Sequence, residues 1–273
     1  MTKVQAIHSR DNPLLVRLRK LAGDPGGYRK LGEIWLEGDH LCEAFVQRGG
    51  VVKQAVITEP AWDEPRWRHL ASLAESVAVV SPALMGTLSA LESPSPLGYV
   101  VPWAGPGSML AASPSVVLDR LQDAGNVGTI LRSASAFGIE QVVALKGTAA
   151  LWSPKVLRAG MGAHFRLHLV EGASADHLDQ LRLPLVATSS HAAAQLPDVA
   201  LPYPCAWLMG HEGQGLDPGV LARCRLTVAI PQPGGEESLN VASAAAVCFY
   251  EALRQHRAAG PRPSEGSVRT PAG

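Results

Sequence analysis

Between Asn12 and Leu21 the apolar residues Leu14, Leu15, Leu18 and Leu21 recur at helical spacing, and Asn12 followed by Pro13 reads as a helix start. The outer face of that helix is basic. Short apolar runs and amphipathic stretches then alternate: strands are predicted at Ile34 to Leu36, Val52 to Ile57 and Val77 to Val80, with helices at His40 to Gln47 and Arg66 to Ala74 between them. After residue 115 the pattern resumes with a buried-type strand at Val116 to Leu118, a helix from Val127 to Phe137 and a strand at Gln141 to Leu145. Further strands fit Leu185 to Ala187, Ala206 to Met209 and Leu226 to Ile230, each followed by a loop rich in Gly, Ser or Pro. The last element, Val241 to Gln255, places Val241, Ala245, Val247, Phe249 and Leu253 on a broad apolar stripe expected to pack.

Strands alternating with helices predict an α/β fold, and 273 residues are enough for two domains, each with its own core. The Gly-, Pro-, Ser- and Ala-rich stretch 103–114 suits a linker, which divides the chain into 1–102 and 115–257 and leaves 258–273 as a tail expected to be disordered. Composition narrows the class: 47% of residues are apolar, no run reaches membrane-spanning length, and the N-terminal segment lacks the apolar core of a signal peptide. A cytoplasmic protein is expected. Cys42, Cys205, Cys224 and Cys248 have no C-x-x-C spacing and lie in or beside apolar runs, so neither disulfides nor a metal site is expected.

The formal net charge is zero, but charge is unevenly distributed. Residues 1–30 hold seven bases (Lys3, Arg10, Arg17, Arg19, Lys20, Arg29, Lys30) against Asp11 and Asp24, and the tail from Arg254 holds four arginines against Glu265. Phosphate contacts need local positive potential rather than net charge, so this pattern is compatible with a nucleic-acid partner and equally with a solvated helix face.

Three segments stand out chemically. In Leu118 to Gly138 a strand runs into Gly125-Asn126-Val127-Gly128, read as a tight turn capped by Asn126, and then into a helix whose small exposed residues leave Arg132 conspicuous. Such a guanidinium can hold a phosphate or act on a hydroxyl, with Asn126 placed to fix its fork. In Trp207 to Leu216, three glycines (Gly210, Gly213, Gly215) follow a buried strand and would let backbone approach a ligand closely. Neither a Walker ending nor G-x-G-x-x-G spacing is present, which disfavours a phosphate cradle or a dinucleotide site. In the third segment Ile230-Pro231 precedes Ser238-Leu239-Asn240-Val241, where Ser238 is a candidate N-cap for the last helix.

N-x-G-x-x-x-R, G-x-E-G-x-G-L, and I-P followed by S-L-N-V, in this order, resemble the three motifs of the SpoU (TrmH-like) branch of the SPOUT RNA methyltransferases, over Leu118 to Glu251. The resemblance implies a C-terminal parallel-sheet domain whose chain is threaded into a trefoil knot, a homodimer, and S-adenosylmethionine bound in the knot. It places Gly210, Ile230 and Leu239 at cofactor-holding positions, with Thr188 and Ser189 near the adenosine or methionine portion. Glu212, Gly213, Gly215 and Ser238 belong to the knot loops. Arg132 matches the catalytic arginine acting on a ribose 2′-hydroxyl, and Asn126 and Asn240 match asparagines that position it or the substrate. His211 departs from the Asn, Ala or Ser common in the family, and no role follows for its side chain. The segment GEIWLEGDHLCEAF resembles the smaller L30e-like substrate-binding domain that precedes this catalytic domain in ribosomal-RNA methyltransferases. The implied partner is RNA, ribosomal rather than transfer RNA, with a transfer-RNA enzyme or a non-catalytic RNA-binding module as the alternatives.

Overall fold

A computed structural model describes residues 2–234 and 239–259. It contains two sheets. The first is mixed, with strand order β1-β4-β3-β5-β2 built from β1 (Lys3–Ile7), β2 (Glu33–Glu37), β3 (Gln54–Thr58), β4 (Ser76–Val80) and β5 (Leu97–Pro102). Here β1, β4 and β3 run parallel, while β5 pairs antiparallel with both β3 and β2. Six helices cover it: α1 (Pro13–Gly23), α2 (Gly27–Leu31), α3 (Asp39–Gln47), α4 (Glu59–Asp63), α5 (Pro65–Ala71) and α6 (Pro82–Gly86).

Helix α1 forms as its pattern predicts. The Asn12 side chain accepts from the Leu14 N–H at 2.9 Å, Pro13 occupies the first turn where no N–H is needed, and Leu14, Leu15, Leu18 and Leu21 are buried. Its basic face is partly neutralised, because Arg17 pairs with Glu33 at 2.8 Å and Arg19 donates to the Arg10 carbonyl.

The second sheet is wholly parallel, with order β11-β9-β10-β6-β7-β8. Its elements are β6 (Ser115–Leu118), α7 (Ala124–Ala136), β7 (Gln141–Leu145), α8 (Pro154–Gly160), β8 (His168–Ala173), β9 (Leu185–Thr188), β10 (Ala206–Met209), α9 (Pro218–Leu221), β11 (Leu226–Val228) and α10 (Val241–Ala258). Strands β6, β7 and β8 build outward in one direction and β9 to β11 fill the other side, so the chain changes direction beside β6 and β10. Ligands of open α/β sheets gather at the strand C-termini near such a reversal.

Several local expectations change. Gly125 to Gly128 do not form a turn: they are the first coils of α7, capped by Asp123, whose carboxylate accepts from the Asn126 N–H at 2.7 Å. The absence of a side chain at Gly128 serves helix packing instead, since a Cβ there would sit 2.7 Å from the Val156 carbonyl oxygen and 2.9 Å from the Gly160 nitrogen of α8. On α10 the buried stripe is Ala242, Ala245, Cys248, Phe249 and Ala252, whereas Val247, expected inside, is exposed. That helix is capped by Asn240, which accepts from the Ala242 and Ser243 N–H groups; Ser238, the expected cap, lies outside the described residues.

The stretch 103–114 is not a free tether. Pro106 accepts from the Glu171 N–H, Leu110 exchanges two hydrogen bonds with the Gln141 amide, and Ala111 accepts from the Arg182 N–H. The two sheets also share packing: Leu157 of α8 belongs to the core of the first, and Phe45 meets Phe165 edge-on with ring centroids 5.2 Å apart. At the junction the buried Glu171 of β8 accepts through one oxygen from the Tyr28 hydroxyl at 2.5 Å, Arg29 at 2.7 Å and the Leu151 N–H at 3.0 Å. Burial, reinforced by the neighbouring carboxylate, holds the Tyr28 phenol well above its ordinary range, so it stays a donor.

Candidate cofactor cleft and catalytic face

A cleft of about 690 Å³ opens at the C-terminal ends of β9, β10 and β11. Thr188 ends β9, Gly210 follows β10, Ile230 lies just beyond β11, and Leu239 and Asn240 lead into α10. All five line the cleft, together with Ser189, Glu212, Gly213 and Gly215. Residues named from three distant segments of sequence therefore meet around one cavity, of a size typical for small-molecule sites. Leu221, Ile230, Leu239 and Val241 give it apolar wall; Thr188, Ser189 and Gln232 give polar groups.

The glycine-rich loop is organised mainly by contacts with itself. His211 and Gly215 exchange backbone hydrogen bonds at 3.0 and 2.8 Å, folding the loop back sharply. That fold itself requires a glycine at 210, since a Cβ there would lie 2.8 Å from the Gly215 carbonyl oxygen. Gly215 has φ +68°, a left-handed conformation that glycine adopts without a steric cost. The His211 ring completes the loop: Nδ1 accepts from the Gly213 N–H at 3.0 Å and the Gln214 N–H at 3.2 Å. Sequence reading gave this side chain no role; a histidine two residues before a glycine that needs a backbone acceptor is the signal it carried.

Among the described residues Asn126 makes no hydrogen bond to Arg132. Its amide donates to Glu212 Oε1 at 3.2 Å and its carbonyl accepts from the Asn240 amide at 2.9 Å. The two expected asparagines and Glu212 thus form one chain of hydrogen bonds that clamps α7, the glycine-rich loop and the cap of α10 together. Burial works to raise the Glu212 carboxyl, but hydrogen bonds from its own N–H, Asn126 and the Asp123 N–H outweigh it, and its pKa ends below the usual carboxylate value. Glu212 stays an ionised brace. Arg132 is exposed on α7, outside the set of residues lining the cleft.

Gln232 was not anticipated. It lines the cleft, and its buried Oε1 has no hydrogen-bond partner among the described residues. A buried acceptor without a donor is costly, which marks a position where a ligand N–H fits. No lysine or arginine lines the cleft among the described residues, and a nucleoside end would find both apolar wall and polar edge there.

Residues 113–250 match the model of the SpoU rRNA Methylase family. A protein of Synechocystis sp. named as an uncharacterized tRNA/rRNA methyltransferase is 35% identical over 94% of this chain and 96% of its own. The 23S rRNA (guanosine(2553)-2′-O)-methyltransferase RlmP of Bacillus subtilis is 30% identical over 81% of this chain and 88% of its own. In structure, the SpoU methyltransferase AviRb from Streptomyces viridochromogenes, solved in complex with the cofactor AdoMet, superposes with a TM-score of 0.81 over 90% of this chain and 98% of its own, at 26% identity. Motif order, parallel-sheet fold and near full-length likeness agree, and the chain belongs to the SpoU rRNA methylase family.

Proposed function

We propose that this protein is an S-adenosylmethionine-dependent methyltransferase acting on a ribose 2′-hydroxyl of ribosomal RNA. The observation that carries the reading is the cleft that gathers Thr188, Ser189, Gly210, Ile230 and Leu239, with the unpartnered Gln232 acceptor on its wall and no lining cation among the described residues. When bound, the cofactor supplies a methyl group already activated on a positively charged sulfur. Ile230 and Leu239 would flank its apolar portion, and Thr188, Ser189 and Gln232 would meet its polar edges. The clamp of Asn126, Glu212 and Asn240 fixes the glycine-rich loop, which keeps the site preorganised.

Arg132 is the candidate catalytic residue. It stands on α7 roughly 9 Å along the axis from Asn126. A permanently charged, exposed guanidinium can hold the target ribose or its phosphate and stabilise an oxyanion developing at the 2′-oxygen; it is a poor base, so the proton would leave to phosphate or water. The exposed Val247 and Tyr250 on α10 support a homodimer formed through this face. The placement of β10 between β6 and β9, with its loop held beneath α7, is compatible with the knotted threading. Residues 1–102 would bring the RNA as an L30e-like unit.

The test is Arg132→Ala with turnover and cofactor affinity measured side by side. Turnover is expected to fall about 10²- to 10⁴-fold with affinity for S-adenosylmethionine unchanged; undiminished turnover would remove Arg132 from the chemistry. Ribosomal RNA is favoured by the Bacillus subtilis relative's name, while the Synechocystis relative's name covers transfer RNA as well. Mapping 2′-O-methylation in both RNA classes, with and without the gene, decides between them. A protein that binds no S-adenosylmethionine by calorimetric titration would be a non-catalytic module instead.

A further inference from the structure

A second cleft, of about 380 Å³, lies at the junction of the two units, at the C-terminal ends of β7 and β8. Arg29 of α2, Trp103 and the turn Lys146-Gly147-Thr148 line it, with Glu171 and Gly172 on its floor. Gly172 has φ +69° and marks a bulge where β8 slips one residue against β7, opening the edge at this point.

The cations around this cleft are unequally engaged. Glu171 takes one nitrogen of Arg29, whose side chain remains 45% exposed. Lys146 is exposed and pairs with no carboxylate among the described residues. Arg120 lines neither cleft but stands between residues that do: its Cγ lies 3.2 Å from where a Cβ on Gly147 would be, and its guanidinium reaches Gln214 Oε1 at 3.4 Å and the Gly215 carbonyl oxygen at 3.5 Å. Arg120 is ion-paired with Asp119 at 2.9 Å and has φ +57°, an unfavourable conformation for a residue with a Cβ. Its backbone strain thus accompanies a side chain that spans from one cleft to the other.

We propose that the second cleft is a phosphate subsite for the RNA backbone, with Lys146 and Arg29 gripping a phosphodiester and Arg120 marking the strand's route to the glycine-rich loop. The proposal rests on the RNA methyltransferase reading above. Glu171 also lines the cleft, but its carboxylate is buried and answered by Arg29, Tyr28 and the Leu151 N–H, so Lys146 is the charge left unanswered; a phosphate entering beside it releases counterions, and the gain is sequence-independent. Free phosphate carries the same chemistry, so the source has to be separated by experiment.

The measurement is fluorescence anisotropy of a mixed-sequence single-stranded RNA of about twenty nucleotides against salt, for wild type, Lys146→Gln, Lys146→Arg and Lys53→Gln, with S-adenosylmethionine affinity by calorimetry for each. For Lys146→Gln the slope of log affinity against log salt is expected to shrink by about 0.7, the value for one lost contact on a single strand, with RNA affinity several-fold lower at low salt. Lys146→Arg should restore the wild-type slope, Lys53, exposed and not lining the cleft, should not matter, and cofactor affinity should stay constant. A Lys146→Gln slope equal to wild type overturns the subsite. So does saturation by inorganic phosphate that depends on Lys146 while RNA binding does not. A wild type that binds neither RNA nor S-adenosylmethionine overturns the methyltransferase reading itself, which is a separable outcome.

Discussion

His211 lines the cleft and also sets the loop beside it through bonds to backbone. Its ring replaces the missing partners of two consecutive backbone N–H groups, at 3.0 and 3.2 Å, in a loop whose glycines would otherwise sample many conformations. With each such bond contributing about 1 kcal/mol, His211→Ala is expected to lower the melting temperature by a few degrees and to weaken S-adenosylmethionine binding roughly tenfold. His211→Asn keeps an acceptor on a short side chain and should retain most of the affinity in the same titration. His164 acts on stability instead. It is buried beside Gly160, with Nε2 2.8 Å from the Leu151 carbonyl oxygen, and burial pushes its pKa down from 6.5 to about 4. The unfolded chain therefore takes up a proton as pH falls below about 6.5 while the folded chain does not, so stability falls with pH until about 4 and then levels. The expected loss by pH 5 is about 2 kcal/mol, visible in urea unfolding at pH 7 and pH 5, and His164→Gln should flatten that difference.

At the level of elements, the close approach of α7 and α8 depends on Gly128. A methyl group there meets backbone of α8, which cannot rotate away, so Gly128→Ala should destabilise by about 1–3 kcal/mol in chemical unfolding and lower affinity for the cofactor through α7's hold on Glu212. What sequence could show of the elements follows from burial. Strands β6, β7 and β10 are buried on both faces and read as apolar runs at nearly their observed bounds. Strand β1 was illegible because four of its five residues face solvent at a sheet edge, and α8 because seven residues are too few to show a period. Gly210 and Ile230 were legible because each follows a strand inside a motif, and Leu239 because its motif opens the last helix. Gln232 and the Asn126–Glu212–Asn240 clamp were not, since 86 and 114 positions separate Asn126 from its partners. Asn126 has the sequence look of a cap, an asparagine beside a glycine, whereas Asp123 three residues earlier forms it.

The whole molecule joins two sheets that sequence suggested were separated by a linker. The separate cores follow from the two stretches of alternating elements, but the antiparallel β5 and the junction do not, because Tyr28 and Glu171 are 143 positions apart and neither is unusual where it stands. Glu171 is buried in β8 and receives donors from α2 and from the loop before α8 at once, and the chain between the sheets is laid along β8 by backbone hydrogen bonds. A joint with a desolvated carboxylate at its centre has few alternative arrangements in which every donor is still matched. With the first unit as the RNA-gripping one proposed above, this joint would make the protein a gauge: the nucleotide presented to the large cleft would be the one lying a set span from whatever feature of the RNA is gripped.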